Sequence, residues 1–175
     1  MESILKDLGR ILEAVPEATT DSFVESIVSA KRVFMHGLGR SGLVARMFGM
    51  RLVHLSQEAT IVGDTTTPAI RADDLLVVCS RTGRSPILRH AVSLAHAEGA
   101  RAVAVVGDPE TRLESTADLV VRLPVEAAAV EREQPMGSLF EQALLLYLDG
   151  VVVRSLMKRL NLTQEDMERI HSNLP

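Results

Sequence analysis

The sequence predicts a doubly wound α/β fold, one parallel sheet of five strands with helices on both faces. Two observations carry that prediction, and a third sets its size. Apolar runs too short for helices, such as Leu75 to Cys79 and Ala102 to Val106, alternate with stretches of helical periodicity. Two of the predicted strands run straight into polar turns that open helices, at 37–42 and at 80–85. The chain has 175 residues, 46% of them hydrophobic and 24% charged, which suits one domain with a real core.

Residues 1–30 read as two helices. Ile4, Leu5, Leu8, Ile11, Leu12 and Val15 recur at helical spacing, and Pro16 closes the segment. Ser22 with Glu25 three residues on has the form of a capping box for the second helix. The βα core follows over 32–123. Its strands are expected at 33–36, 60–62, 75–79, 102–106 and 118–123, with helices at 43–55 and 87–98. Pro86 suits a first helical turn, where its missing N–H costs nothing, and Gly99 suits a stop. Residues 126–136 look irregular between Pro124 and Pro135. The C-terminal part, 137–175, opens with a long helix from Leu139 to about Leu160. Its apolar content on several sides suggests packing against another subunit. Thr163 is placed to cap a last short helix.

Composition narrows the function. A net charge of −4 leaves no excess of cations for phosphate backbones, so nucleic acid is not expected as a partner. No apolar run reaches the ~18 residues of a membrane span, and the N-terminus lacks the apolar centre of a signal peptide. A lone cysteine, Cys79, rules out an internal disulfide, so the cytoplasm is the expected compartment. The histidines are scattered and form no cluster with metal-ligand spacing, so no metal site is expected.

In parallel α/β sheets ligands bind beyond the carboxyl ends of the strands, and both polar turns lie on that edge. Gly37-Leu-Gly-Arg-Ser-Gly42 matches a dinucleotide fingerprint, with Asp64 where a ribose-binding acid would fall. The match is short, and the chain after Asp64 continues into further βα units instead of a catalytic domain. A tight turn with no ligand is the plainer alternative. Ser80-Arg-Thr-Gly-Arg-Ser85 offers hydroxyls, guanidinium groups and a helix N-terminus, which together suit a phosphate monoester. It contains no Gly-Lys-Ser/Thr and so is not a nucleoside triphosphate loop. Glu141, in the first turn of the long helix, complements the helix dipole or serves as a general base. His171 lies on the last short helix, where a histidine is by default a surface residue.

These features together resemble the sugar isomerase (SIS) family, and within it the 6-phospho-3-hexuloisomerase subfamily. The resemblance rests on Gly37-Leu-Gly-Arg-Ser-Gly-Leu-Val-Ala-Arg-Met-Phe-Gly-Met-Arg51-Leu, Val62-Gly-Asp-Thr-Thr-Thr-Pro68-Ala-Ile70, Met136-Gly-Ser-Leu-Phe-Glu141 and the tail from Leu162 to His171-Ser-Asn-Leu. It implies a three-layer α/β/α fold in a homotetramer with active sites at subunit junctions. It also implies isomerisation of 3-hexulose 6-phosphate to fructose 6-phosphate through an enediol, in the ribulose monophosphate pathway, with no metal or organic cofactor. By that resemblance Glu141 is the base, and His171 its acid/base partner, delivered from a neighbouring subunit. Ser80, Thr82 and Ser85 would hold the phosphate. Gly39, Arg40 and Ser41 would line the sugar, with Arg51 and Thr66 nearby.

One departure stands out: the family's second turn usually reads Ser-Gly-Ser-Gly-Glu-Thr, whereas here Arg81 and Arg84 replace a glycine and the glutamate. The rival readings are a non-catalytic SIS module that binds a sugar phosphate as a signal, and an isomerase of another phosphosugar. A signalling module usually accompanies a DNA-binding domain, which the acidic segment before the first strand does not suggest.

Overall fold

The computed structural model of the chain describes residues 1–109, 111–128 and 134–173. The strands are β1 (Val33–Gly37), β2 (Ala59–Ile61), β3 (Leu75–Ser80), β4 (Arg101–Val106) and β5 (Leu119–Arg122). They form one five-stranded sheet in the order β2-β1-β3-β4-β5, with every neighbouring pair parallel. The helices are α1 (Glu2–Glu13), α2 (Glu17–Val28), α3 (Gly39–His54), α4 (Pro86–Ala97), α5 (Ser138–Leu145), α6 (Val153–Leu160) and α7 (Gln164–Ile170). A π-helical stretch, Leu146–Val152, joins α5 to α6 so that 138–160 is one continuous helical rod. The expected α/β/α sandwich is present.

Both sheet faces are covered because successive residues of each strand point to opposite sides. Met35, Val77 and Val105 pack with α1, α2, α3 and the 138–160 rod, through Phe23, Phe48, Leu52, Phe140, Leu144 and Tyr147. Phe34, Leu76, Val78 and Ala104 pack with α4 and the segment after β4, through Leu88, Val92 and Leu113. Each large side chain taken fully from water in this way contributes roughly 1.5–3 kcal/mol. The apolar runs of β3 and β4 have no polar face because neither side of the sheet meets solvent.

One expectation is corrected. Ser22 is not a cap: α2 begins at Glu17 after Pro16, and the Ser22 hydroxyl donates to the Ala18 carbonyl inside the helix at 2.8 Å. A serine can bond its own helix as readily as it can start one, so the local pattern did not discriminate. Within the 138–160 rod, Leu144, Leu148, Val152, Val153 and Leu156 are covered by α1, α2 and α3 of the same chain, while Leu146 is 42% exposed and is the part left for a second subunit. An exposed apolar stripe runs along α3, at Leu43, Met47, Met50 and Val53. The cap at Thr163 is present, with Asp166 closing a reciprocal capping box. The irregular stretch expected over 126–136 falls in part, at 129–133, outside the described residues. Among the described residues no helix is long and apolar enough to cross a membrane.

Candidate active site

β1 and β3 are neighbours, with Gly37 in register with Cys79, so the two polar turns leave the same edge side by side. The chain turns to α3 on one face after β1 and to α4 on the other after β3. The crevice between them is the point where strand order reverses, the usual ligand site of such sheets. Neither α3 nor α4 has a side-chain cap on its first N–H groups, so two positive helix ends face this crevice.

The first turn is closed by contact between two glycines. A Cβ on Gly42 would sit 2.4 Å from the Gly37 carbonyl oxygen, and one on Gly37 would sit 2.9 Å from the Gly42 Cα. This packs the first turn of α3 directly on the end of β1 and presents Gly39, Arg40 and Ser41 at the edge. The second turn is braced from within and from the segment after β4. The Ser80 hydroxyl accepts from the Gly83 N–H at 3.1 Å, and Thr82 Oγ1 accepts from the Arg84 N–H at 3.4 Å. The N–H groups of Gly107 and Asp108 donate to the Arg81 carbonyl at 2.9 and 2.8 Å. Gly83 presses on Thr111, where a Cβ would meet the threonine Cβ at 2.6 Å. Ser85 is the N-cap residue of α4, with Pro86 in its first turn.

A third helix N-terminus joins these turns. Glu141, in the first turn of α5, accepts from Arg40 Nε, so the start of α5 is tied to the start of α3. The Glu141 side chain is 12% exposed and that of Arg40 is 70% exposed, so the carboxylate lies inside the crevice and the guanidinium at its mouth. Gly39, Arg40, Ser41, Ser80, Thr82, Ser85 and Glu141 therefore belong to one edge. Thr66 lies in the loop that leaves β2 at this same edge and is exposed. Its neighbour Thr67 shapes that loop by bonding the Ile61 and Asp64 carbonyls. Asp64 is engaged by Arg46 at 2.6 Å, which occupies the carboxylate a ribose would need.

The remaining residues lie elsewhere in the chain. Arg51, in the last turn of α3, pairs with Asp149 of the π-helical stretch at 2.8 and 3.3 Å. His171 stacks on His54 at the carboxyl end of α3, with ring centroids 5.1 Å apart. From the start of α3 to His54 is roughly 22 Å along the axis, so one chain does not bring His171 to Glu141. Burial holds the His54 pKa below the usual imidazole value, helped by Arg51 and His171.

Sequence reasoning missed two supports of the second turn, Asp108 and Thr111. Both follow β4 on the ligand edge, so the placement of that strand was the signal that could have found them. Among the described residues no group of His, Cys, Asp or Glu is placed to hold a metal ion.

The SIS domain family profile matches residues 26–148. The 3-hexulose-6-phosphate isomerase of Bacillus subtilis is 35% identical over 98% of this chain and 95% of its own length. That of Methylomonas aminofaciens is 34% identical over 99% and 97%. A Methanococcus jannaschii protein, whose crystal structure infers a molecular function of 3-hexulose-6-phosphate isomerase, superposes with a TM-score of 0.89. It is 33% identical, with 99% of this chain and 98% of that one covered. The chain belongs to the SIS domain family, on the branch of sugar-phosphate isomerases that holds these relatives.

Proposed function

We propose that the protein interconverts 3-hexulose 6-phosphate and fructose 6-phosphate, with Glu141 as the base. The observation that carries this reading is the largely shielded Glu141 carboxylate at an edge where turns suited to a phosphate and a sugar converge. The phosphate takes the second turn, held by the Ser80, Thr82 and Ser85 hydroxyls and the first N–H groups of α4. The sugar then spans the crevice toward Gly39, Arg40, Ser41 and Glu141.

In the forward direction Glu141 removes the proton from C2 of the 3-ketose, and the electron pair forms the C2–C3 double bond of an enediol. The protonated carboxyl then returns the proton to C3 while the carbonyl re-forms at C2. A second group moves the hydroxyl proton between O2 and O3, the role assigned to His171. Arg40 shifts from Glu141 toward the oxyanion as charge develops there, where a guanidinium is most effective.

His171 reaches the site from a second copy. The apolar stripe on α3, with Leu146 beside it, is the surface for that contact, its members 42–61% exposed. Two copies packed through this stripe about a two-fold axis, α3 against α3 in opposite directions, place the His171 end of one over the Glu141 end of the other. A tetramer adds a further contact.

The test supplies 3-hexulose 6-phosphate and follows fructose 6-phosphate with a coupled enzyme, with EDTA present. Turnover that falls by ~10³-fold or more in Glu141→Gln, with phosphate binding retained, supports the reading. Wild-type rates in that variant contradict the base assignment. No turnover, with the sugar phosphate still raising the melting temperature, favours a binding module or another phosphosugar.

A further inference from the structure

We infer that Arg81 is a positioning residue that ties the phosphate turn to the helix carrying Glu141. The inference rests on the reading of 80–85 as the phosphate turn and of Glu141 as the base. A guanidinium in the middle of this turn could lie over the crevice, reach into solvent, or run back across the sheet edge. It takes the third course. With its carbonyl pinned by the Gly107 and Asp108 N–H groups, Arg81 lays its stem over Gly107 and on to Gly137.

The two glycines leave the track open. A Cβ on Gly107 would sit 3.1 Å from Arg81 Cγ and 2.8 Å from the Phe140 ring. A Cβ on Gly137 would sit 3.4 Å from Arg81 Cδ and 3.7 Å from Nη1. Gly137 is the N-cap residue of α5, and Phe140 and Glu141 are consecutive in its first turn. One side chain of the phosphate turn thus packs along the N-terminus of the helix that supplies the base.

Charge holds it there. A cation at a helix N-terminus opposes the helix dipole. Asp108 offsets this, its Oδ1 lying 3.3 Å from Arg81 Nε, with side chains 20% and 33% exposed. Arg81 therefore adds no bulk over the crevice. It makes the second turn and the start of α5 move as a unit, so that phosphate binding fixes where the Glu141 carboxylate stands. A glycine at this position would remove this side-chain link and leave the backbone contact through Gly107 to join the two elements.

Hydrogen exchange with inorganic phosphate as the probe separates this role from a direct contact, because phosphate alone is too small to span the crevice. In the wild type, phosphate slows exchange at 81–88 and also at 137–141. In Arg81→Ala the protection at 81–88 remains and that at 137–141 is lost. In parallel kcat falls about 10-fold or more with KM changed less than about 3-fold, since alignment and not affinity is removed. Arg81→Lys keeps the stem and the charge and recovers most of both effects. Protection that never reaches 137–141 in the wild type, or that survives undiminished in Arg81→Ala, overturns the inference. Glu141→Gln run alongside isolates the base assignment: an active Glu141→Gln overturns that assignment without altering the exchange result.

Discussion

Gly42→Ala probes the contact on which the first turn is built. The added methyl would lie 2.4 Å from the Gly37 carbonyl oxygen and 2.8 Å from its carbon, both backbone atoms that no rotamer change can move. Restoring ordinary contact needs roughly 1 Å of separation between α3 and β1. That movement strains the packing of Phe48 and Leu52 against Met35. Overpacking of this kind costs about 1–3 kcal/mol, which for a chain of this length lowers Tm by roughly 3–9 °C. The same displacement moves Arg40 and Ser41 relative to Glu141, and a misplacement of ~1 Å costs on the order of 10²-fold in rate. Thermal melts by circular dichroism and the coupled isomerase assay read the two effects together. Gly9→Ala in α1 is the control: a Cβ there meets nothing within 4 Å, and the helix interior gains about 0.5–1 kcal/mol. A Gly42→Ala variant with wild-type Tm and activity would show that the Gly37–Gly42 contact does not set the turn.

Other consequences follow from the rest of the structure. The buried Asp74 carboxylate accepts from Arg32 Nε at 3.0 Å, from Arg32 Nη2 at 2.6 Å and from the Arg71 N–H at 2.8 Å. Asp74→Ala takes the acceptor from these donors and lowers the urea-unfolding free energy by about 1–3 kcal/mol, since Arg32 stays partly hydrated; no measurable loss contradicts the assigned role. Burial lowers the pKa of His36, and burial with Arg51 and His171 lowers that of His54. The unfolded chain then binds more protons between the folded values and about 6.5, so stability falls as pH drops through that window. Melts at about pH 7.5 and about 5.5 should show a fall that His36→Gln/His54→Gln reduces; an unchanged slope contradicts it. Met47→Glu sets like charges against each other at the proposed two-fold contact, so sedimentation should show a smaller species with parallel loss of activity. An unchanged assembly places the contact elsewhere.

The fold was legible because buried parallel strands carry unbroken apolar runs, as in Leu75 to Cys79, and because glycine and proline punctuate the turns. The edge residues Arg40, Ser41, Ser80 and Ser85 were legible for a related reason: strand, turn and helix start in that order fix where a side chain emerges. What did not follow is whatever depends on the path of a long side chain or on distance across the fold. Arg81 reads as an intruder in the turn, yet its side chain leaves along Gly107 and Gly137, which are far away in sequence. Which sides of the apolar 138–160 rod its own chain covers was not readable either: α1, α2 and α3 take most of it and leave Leu146 exposed. Arg51 reads as a neighbour of the sugar, whereas it pairs with Asp149 near the far end of α3; His171 reads as a group delivered from a neighbouring subunit, and within its own chain it lies on His54 at that far end.

In the proposed enzyme each site takes Glu141 from one chain and His171 from another, and complementation tests this sharing directly. Glu141→Gln and His171→Asn, each inactive alone, are unfolded together and refolded as a mixture. Each mixed pair then contains one site with both native groups. Random assortment predicts recovery of about a quarter of wild-type activity for a two-fold contact. No recovery from a mixture shown to form mixed assemblies would contradict the shared site.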